Sequence, residues 1–240
     1  MVRIVAAVLV AFAVALAGYF VGEGFRLGRK SERIVTVKGL AEREAKADLA
    51  LWPLRFVAAG DDLPQTQARI ERDAQAVRAF LAKQGVKPEE IAVAGVEVTD
   101  MQARAYGEGR AENRFIVAQT LTVRSGDVDR VEQASQAVGE LVNAGVALSA
   151  EGGPSQTGPV YLFTRLNALK PALIAEATKS ARAAAEQFAA DSGARLAGIR
   201  RANQGVFEIN PRDDYPGAFE PRQPLKTVRV VTTVEWLLAD

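Results

Sequence analysis

Leu81-Ala82-Lys83-Gln84-Gly85-Val86 closes a run of helical periodicity on a glycine and then turns apolar. The pattern returns in Leu141-Val142-Asn143-Ala144-Gly145-Val146 and in Phe188-Ala189-Ala190-Asp191-Ser192-Gly193. Each glycine stands where a helix end favours a left-handed residue, so the chain reads as three helices, each handing over to a strand. Ahead of the first glycine, Ile70, Ala74, Val77 and Leu81 recur at 0, 4, 7 and 11 while Arg69, Glu71, Arg72, Asp73 and Arg78 take the other side. That spacing predicts a helix over 63–84 with one face in water, and Asp61 and Asp62 can cap its start. A second helix is expected over 127–143, with Val128, Val131, Ser135, Val138 and Val142 on one face. The third, over 166–191, carries Ala172, Ala175, Ala177, Ala181, Ala184, Ala185 and Ala189, small enough for close packing against a sheet or another helix.

Strands fill the intervals. Period-two alternation or β-branched runs mark 33–38, 46–58, 91–101, 114–125, 146–149, 160–164, 196–209 and 228–236. In the last, Val228, Val230, Thr232, Val234 and Trp236 share one face. Pro53 lacks a ladder donor, so a bulge or an edge is expected there. The polar stretch Tyr106-Gly107-Glu108-Gly109-Arg110 reads as a turn. The order approximates ββ-α-ββ-α-ββ-α-ββ, an α+β fold of ββα repeats whose paired, largely antiparallel strands alternate with three helices. Residues 31–240 form this domain without a linker-like boundary, and one hydrophobic helix precedes it.

Composition removes several chemistries. The 240 residues are 48% apolar and 25% charged, the proportions of a folded protein, and contain neither His nor Cys. A Ser-His-Asp triad, a thiolate nucleophile and a Cys/His zinc site are therefore excluded. Outside residues 1–30 the chain holds 26 basic and 28 acidic groups, so no basic field for nucleic acid is visible.

Residues 4–22, IVAAVLVAFAVALAGYFVG, carry no charge and make roughly 29 Å of helix, close to the hydrocarbon thickness of a bilayer. Residues 1–30 are thus a membrane anchor or an export signal with a short linker, and Ala15-Leu16-Ala17 has the small-x-small form of a cleavage site. Gly18 and Gly22 have the GxxxG spacing that lets two membrane helices approach, a spacing also common by chance in such helices. Arg26, Arg29, Lys30 and Arg33 follow the segment, and by the positive-inside rule they favour a cytoplasmic domain.

Candidate sites are few. Residues 152–159 suggest a phosphate loop, but Pro159 stands where the lysine is required. Gly22, Gly24 and Gly28 are spaced one residue too widely for a dinucleotide fingerprint. Lys179 and Ser180 are helical neighbours about 100° apart and cannot share a proton. Residues 207–224, FEINPRDDYPGAFEPRQP, stand apart with four prolines, three aromatics and the pair Asp213-Asp214. Loops of this length inside compact domains tend to be functional or mobile. Phe207, Asp213, Asp214, Tyr215 and Phe219 are its candidate contact residues, and three readings stay open: a surface hairpin extension, a contact loop for a subunit or partner, and a carboxylate or cation site. No catalytic, cofactor-binding or metal-ligating set emerges.

Several segments together resemble one family. Val35-Thr36-Val37-Lys38-Gly39-Leu40-Ala41-Glu42, followed by Ala47-Asp48-Leu49-Ala50, is similar to the opening strand pair of the SIMPL-domain (DUF541) proteins. The helix bearing Ala177, Ala181, Ala184, Ala185 and Ala189, ending at Gly193-Ala194-Arg195-Leu196, resembles that family's alanine-rich third helix and the Gly-x-x-Leu after it. The resemblance spans about 33–238. It implies a bacterial envelope protein, anchored facing the periplasm or secreted into it, that self-assembles into ring-like homo-oligomers. It further implies a part in envelope integrity or oxidative-stress tolerance; no enzymatic activity or catalytic residue set is established for that family, and the chain is expected to be no enzyme and to use no cofactor. The alternative expectation is a periplasmic binding module that holds a protein or envelope polymer with residues 207–224.

Overall fold

The computed structural model describes residues 11–23, 33–103, 112–149 and 158–239, so the turn at 106–110 and most of 152–159 lie outside the described residues. A helix α1 covers residues 11–23. There follow β1 (Ile34–Lys46), β2 (Leu49–Gly60), α2 (Leu63–Lys83), β3 (Ile91–Asp100), β4 (Phe115–Ser125), α3 (Val128–Gln136) and α4 (Gly139–Asn143). Then come β5 (Val160–Leu162), α5 (Leu166–Asp191), β6 (Arg195–Gln204), β7 (Glu208–Pro211) and β8 (Leu225–Ala239). The fold is α+β, with antiparallel strand pairs in two four-stranded sheets ordered β3-β4-β2-β5 and β1-β8-β6, β7 adding to β8.

The chain divides into two compact units. One takes the described residues within 41–175 and 206–230, the other those within 1–40, 176–205 and 231–240. In the first, every second residue of β2 points inward, from Ala50 through Trp52, Leu54 and Phe56 to Ala58. The helix α2 covers this face and that of β4 with Ile70, Ala74, Val77 and Leu81, the stripe legible in the sequence. Its first turn is capped by Asp62, whose carboxylate accepts from the Gln65 N–H at 2.8 Å. Pro53 pairs with Thr122 of β4 in unbroken register. The N–H of Val57 and carbonyl of Arg55 face residues 147–149, so strand alternation turns Pro53 to that same outer edge, past the end of β5, where no ladder donor is needed.

In the second unit α5 lies on β1 and β8. Ala177, Ala181, Ala185 and Ala189 are buried at every fourth position, and Ala181 and Ala185 cluster with Val37, Val234 and Trp236. The small side chains permit unusual closeness: a Cβ on Gly39 would meet the Ala177 carbonyl oxygen at 1.9 Å and the Ala181 nitrogen at 2.5 Å. Gly85, Gly145 and Gly193 all have positive φ, as the three helix ends require.

Several expectations are corrected. The second helix breaks into α3 and α4, because Val138, Glu140 and Leu141 donate to carbonyls three residues back and tighten the chain. That extra rotation turns Leu141 inward and leaves Val142 exposed. Residues 146–149 form a single bridge, Phe56 to Leu148, and no strand. The expected strand over 196–209 divides at Gly205, whose N–H donates to Val231 so closely that a Cβ would lie 2.5 Å from that carbonyl oxygen. β1 and β2 do not pair with each other, since Asp48 between them is held by β5 and by Thr164 just beyond it. The Asp48 N–H donates to Leu162, and its carboxylate accepts from the Thr164 N–H and hydroxyl. Among the described residues no helix is long and apolar enough to cross a membrane, and residues 4–10 of the expected span lie outside them.

Candidate contact loop

Residues 207–224 are a hairpin arm. β7 pairs with the start of β8, Ile209 opposite Val228 and Pro211 opposite Lys226; the Arg212 N–H donates to the Leu225 carbonyl at 3.3 Å, so by alternation the Pro211 nitrogen faces away from β8 and no ladder bond is lost. Beyond it the loop is fastened to itself. The Asp213 N–H donates to Gln223 Oε1 at 3.0 Å while Gln223 Nε2 donates back to the Asp213 carbonyl at 2.8 Å. Arg212 forks onto the Asp213 carboxylate, with its closest contact at 2.7 Å, and that hydrogen bond and charge hold the Asp213 carboxyl below its ordinary range. At the tip, the Ala218 N–H donates to Tyr215 at 2.8 Å across Pro216 and Gly217, whose φ is +92°. Proline second and a left-handed glycine third is the residue logic of a type II turn.

The arrangement spreads the candidate contact residues. Tyr215 and Phe219 are 59% and 46% exposed at the tip, and Asp214 beside them is exposed. Phe207 lies at the base, with Lys170 Nζ 5.8 Å from its ring centre. Asp213 is consumed by its own arginine and does not form a catalytic pair with Asp214; general acid–base pairs need a defined gap across a cleft. Among the described residues no group of three or more acidic side chains is placed to hold a metal ion. A cleft of about 370 Å³ opens beside the arm, lined by Lys46, Asp129, Glu132, Arg212, Asp213 and Gln223. Lys46 and Asp129 are ion-paired at 2.5 Å, as are Arg212 and Asp213, so these four charges answer each other and Glu132 adds one further negative charge to the lining.

Two features escaped the sequence reading. A smaller cavity of about 140 Å³ lies among Trp52, Leu54, Arg55, Ser135, Val138 and Leu148, residues scattered over β2, α3 and the following turns. Lys226 is fully buried, its Nζ donating to the Glu220 carbonyl at 2.5 Å and to Glu220 Oε1 at 2.6 Å. That position was legible in principle, because 226 continues the inward row of Val228, Val230 and Thr232. Elsewhere, burial and the Glu132 charge push the Tyr161 phenol up to about 12, so it stays protonated at neutral pH and supplies no base. Lys179 and Ser180 are both exposed on α5. Gly18 and Gly22 are exposed on α1, with open space where a Cβ would stand.

Comparison with known families gives a match over most of the chain. The family model described as SIMPL: Protein of unknown function (DUF541) covers residues 35–236. None of the curated proteins matches the chain.

Proposed function

The chain belongs to the SIMPL (DUF541) family, and on that premise we propose that it is a non-enzymatic protein of the bacterial cell envelope. In this reading its domain faces the periplasm, anchored by residues 4–22 or released after cleavage. It assembles with copies of itself and supports envelope integrity or oxidative-stress tolerance. The observation that carries the reading is α1. Phe12, Val14, Leu16, Tyr19, Phe20 and Val21 are all exposed on an uncharged helical stretch, and a helix apolar all round is stable only when hydrocarbon or protein covers it. Alkaline phosphatase, which is active only outside the cytoplasm, fused after Asp240 tests the topology. Activity with a full-length mature chain is expected of an anchor, and activity with about 17 residues lost is expected of a cleaved signal. No activity would put the domain in the cytoplasm, where the basic residues after the span point, and would end the envelope reading.

The exposed tip favours a second reading, a binding module. Aromatic side chains displayed on a preorganised loop bind at low entropic cost. Substituting Tyr215 and Phe219 together by alanine is expected to remove proteins captured from envelope extracts by the wild-type chain. Unchanged capture would discard the loop as a contact surface.

A further inference from the structure

Among the described residues Lys226 is the one charged residue buried as a whole. An ammonium group out of water is tolerated only with a close counter-charge and satisfied donors. Here both come from one residue, Glu220, through its carbonyl and its carboxylate. Glu220 opens the short 3-10 turn Glu220–Arg222, and that turn belongs to the self-fastened arm in which Asp213 and Gln223 grip each other and Tyr215 closes on Ala218. The arm is therefore a small knot, and Lys226 ties it to β8 from beneath.

We infer that Lys226 makes closure of the 212–223 loop conditional on the Glu220 carboxylate. With the carboxylate in place the loop is shut and holds Tyr215 and Phe219 in one pose. With that charge removed or drawn away, the ammonium is left without its counter-charge, and lifting the turn returns it to water, so the loop opens as a unit. The Glu220 side chain is 29% exposed, so its charge can be reached from outside while its partner cannot. The device stands whatever the tip touches, and it accounts for a lysine in a row otherwise filled by Val228, Val230, Thr232, Val234 and Trp236.

A buried pair has a distinctive signature under mutation. Stranding one partner is costly, whereas removing both charges is close to neutral. The loop carries trypsin sites at Arg212 and Arg222, and α3 of the same unit carries one at Arg130. Limited trypsin digestion of the full chain in detergent, read by mass spectrometry, is done on Glu220→Gln, Lys226→Met and the double variant. Glu220→Gln is expected to speed cutting after Arg222 by about tenfold or more, since cleavage tracks the open population. Cutting after Arg130 stays at the wild-type rate, and Lys226→Met and the double variant stay within a few-fold of wild type at Arg222. The inference is overturned if Glu220→Gln cuts like wild type, if the double variant is as open as Glu220→Gln, or if Arg130 cutting rises in step. Should Glu220→Gln not fold, the comparison is made in the Lys226→Met chain. There, adding Glu220→Gln leaves the rate unchanged, and a rise overturns the inference.

Discussion

Gly39→Val should abolish the packing of α5 on β1 and lower the stability of the full chain by about 3 kcal/mol or more, beyond the usual range of overpacking. The reason is the character of the obstacle. A Cβ at this position meets backbone atoms, the Ala177 carbonyl oxygen and the Ala181 nitrogen, and the Ala181 methyl lies 2.8 Å away. Backbone in the middle of a 26-residue helix cannot swing aside as a side chain can. Helix and strand must separate, and the small cluster of Val37, Ala181, Ala185, Val234 and Trp236 loses its closure. Gly39 has no left-handed φ, so the effect is one of space alone, and Gly39→Ala should show it in milder form. Denaturant titration of the detergent-solubilised chain measures both. Midpoints unchanged from wild type would mean that α5 does not rest against β1.

The second large effect is expected at Phe56. Its side chain is wholly buried among β2, β4 and α2, in the cluster that includes Trp52, Ile70, Val77 and Leu121. Phe56→Ala removes a ring from a site held by the β4 pairing on one side and the bridge to Leu148 on the other, with α2 packed over that face, which limits collapse into the cavity. A loss of about 3–5 kcal/mol is expected. Phe188→Ala makes the same chemical change on α5 where the ring is 60% exposed, and should stay within about 0.5 kcal/mol of wild type. Thermal or denaturant melts of the two variants decide the matter. Equal losses would contradict the burial assigned to both rings.

What periodicity could reach, it reached well. The stripe of Ile70, Ala74, Val77 and Leu81 and the row from Val228 to Trp236 are buried as their spacing demands, because a helix face and a strand face are set by residues close together in the chain. The breaks were less legible. α3 and α4 read as one helix because apolar spacing continues through Ala137 and Val138, and only the tightened hydrogen bonds reveal the change of phase. Gly205 gave no local sign that Val231 would crowd it, since that contact spans the β6–β8 pairing.

The candidate loop shows the same divide. Its prolines, its aromatics and Asp213-Asp214 announced an unusual segment, whereas the turn at Pro216-Gly217, the grip of Gln223 on Asp213 and the burial of Lys226 required the arm to be folded.

By itself the sequence determined the α+β class, the left-handed helix ends, the faces of α2 and β8, the absence of His and Cys chemistry and the family. Each of these depends on residue type and on spacing within one element. Tertiary structure alone decided that β1 and β2 join different sheets, that α5 can lie nearly in backbone contact with Gly39, and that one lysine is sealed beneath the loop. Those outcomes depend on which surfaces meet across long stretches of chain. The free energy of such meetings comes from burial and desolvation of partners that no local pattern names.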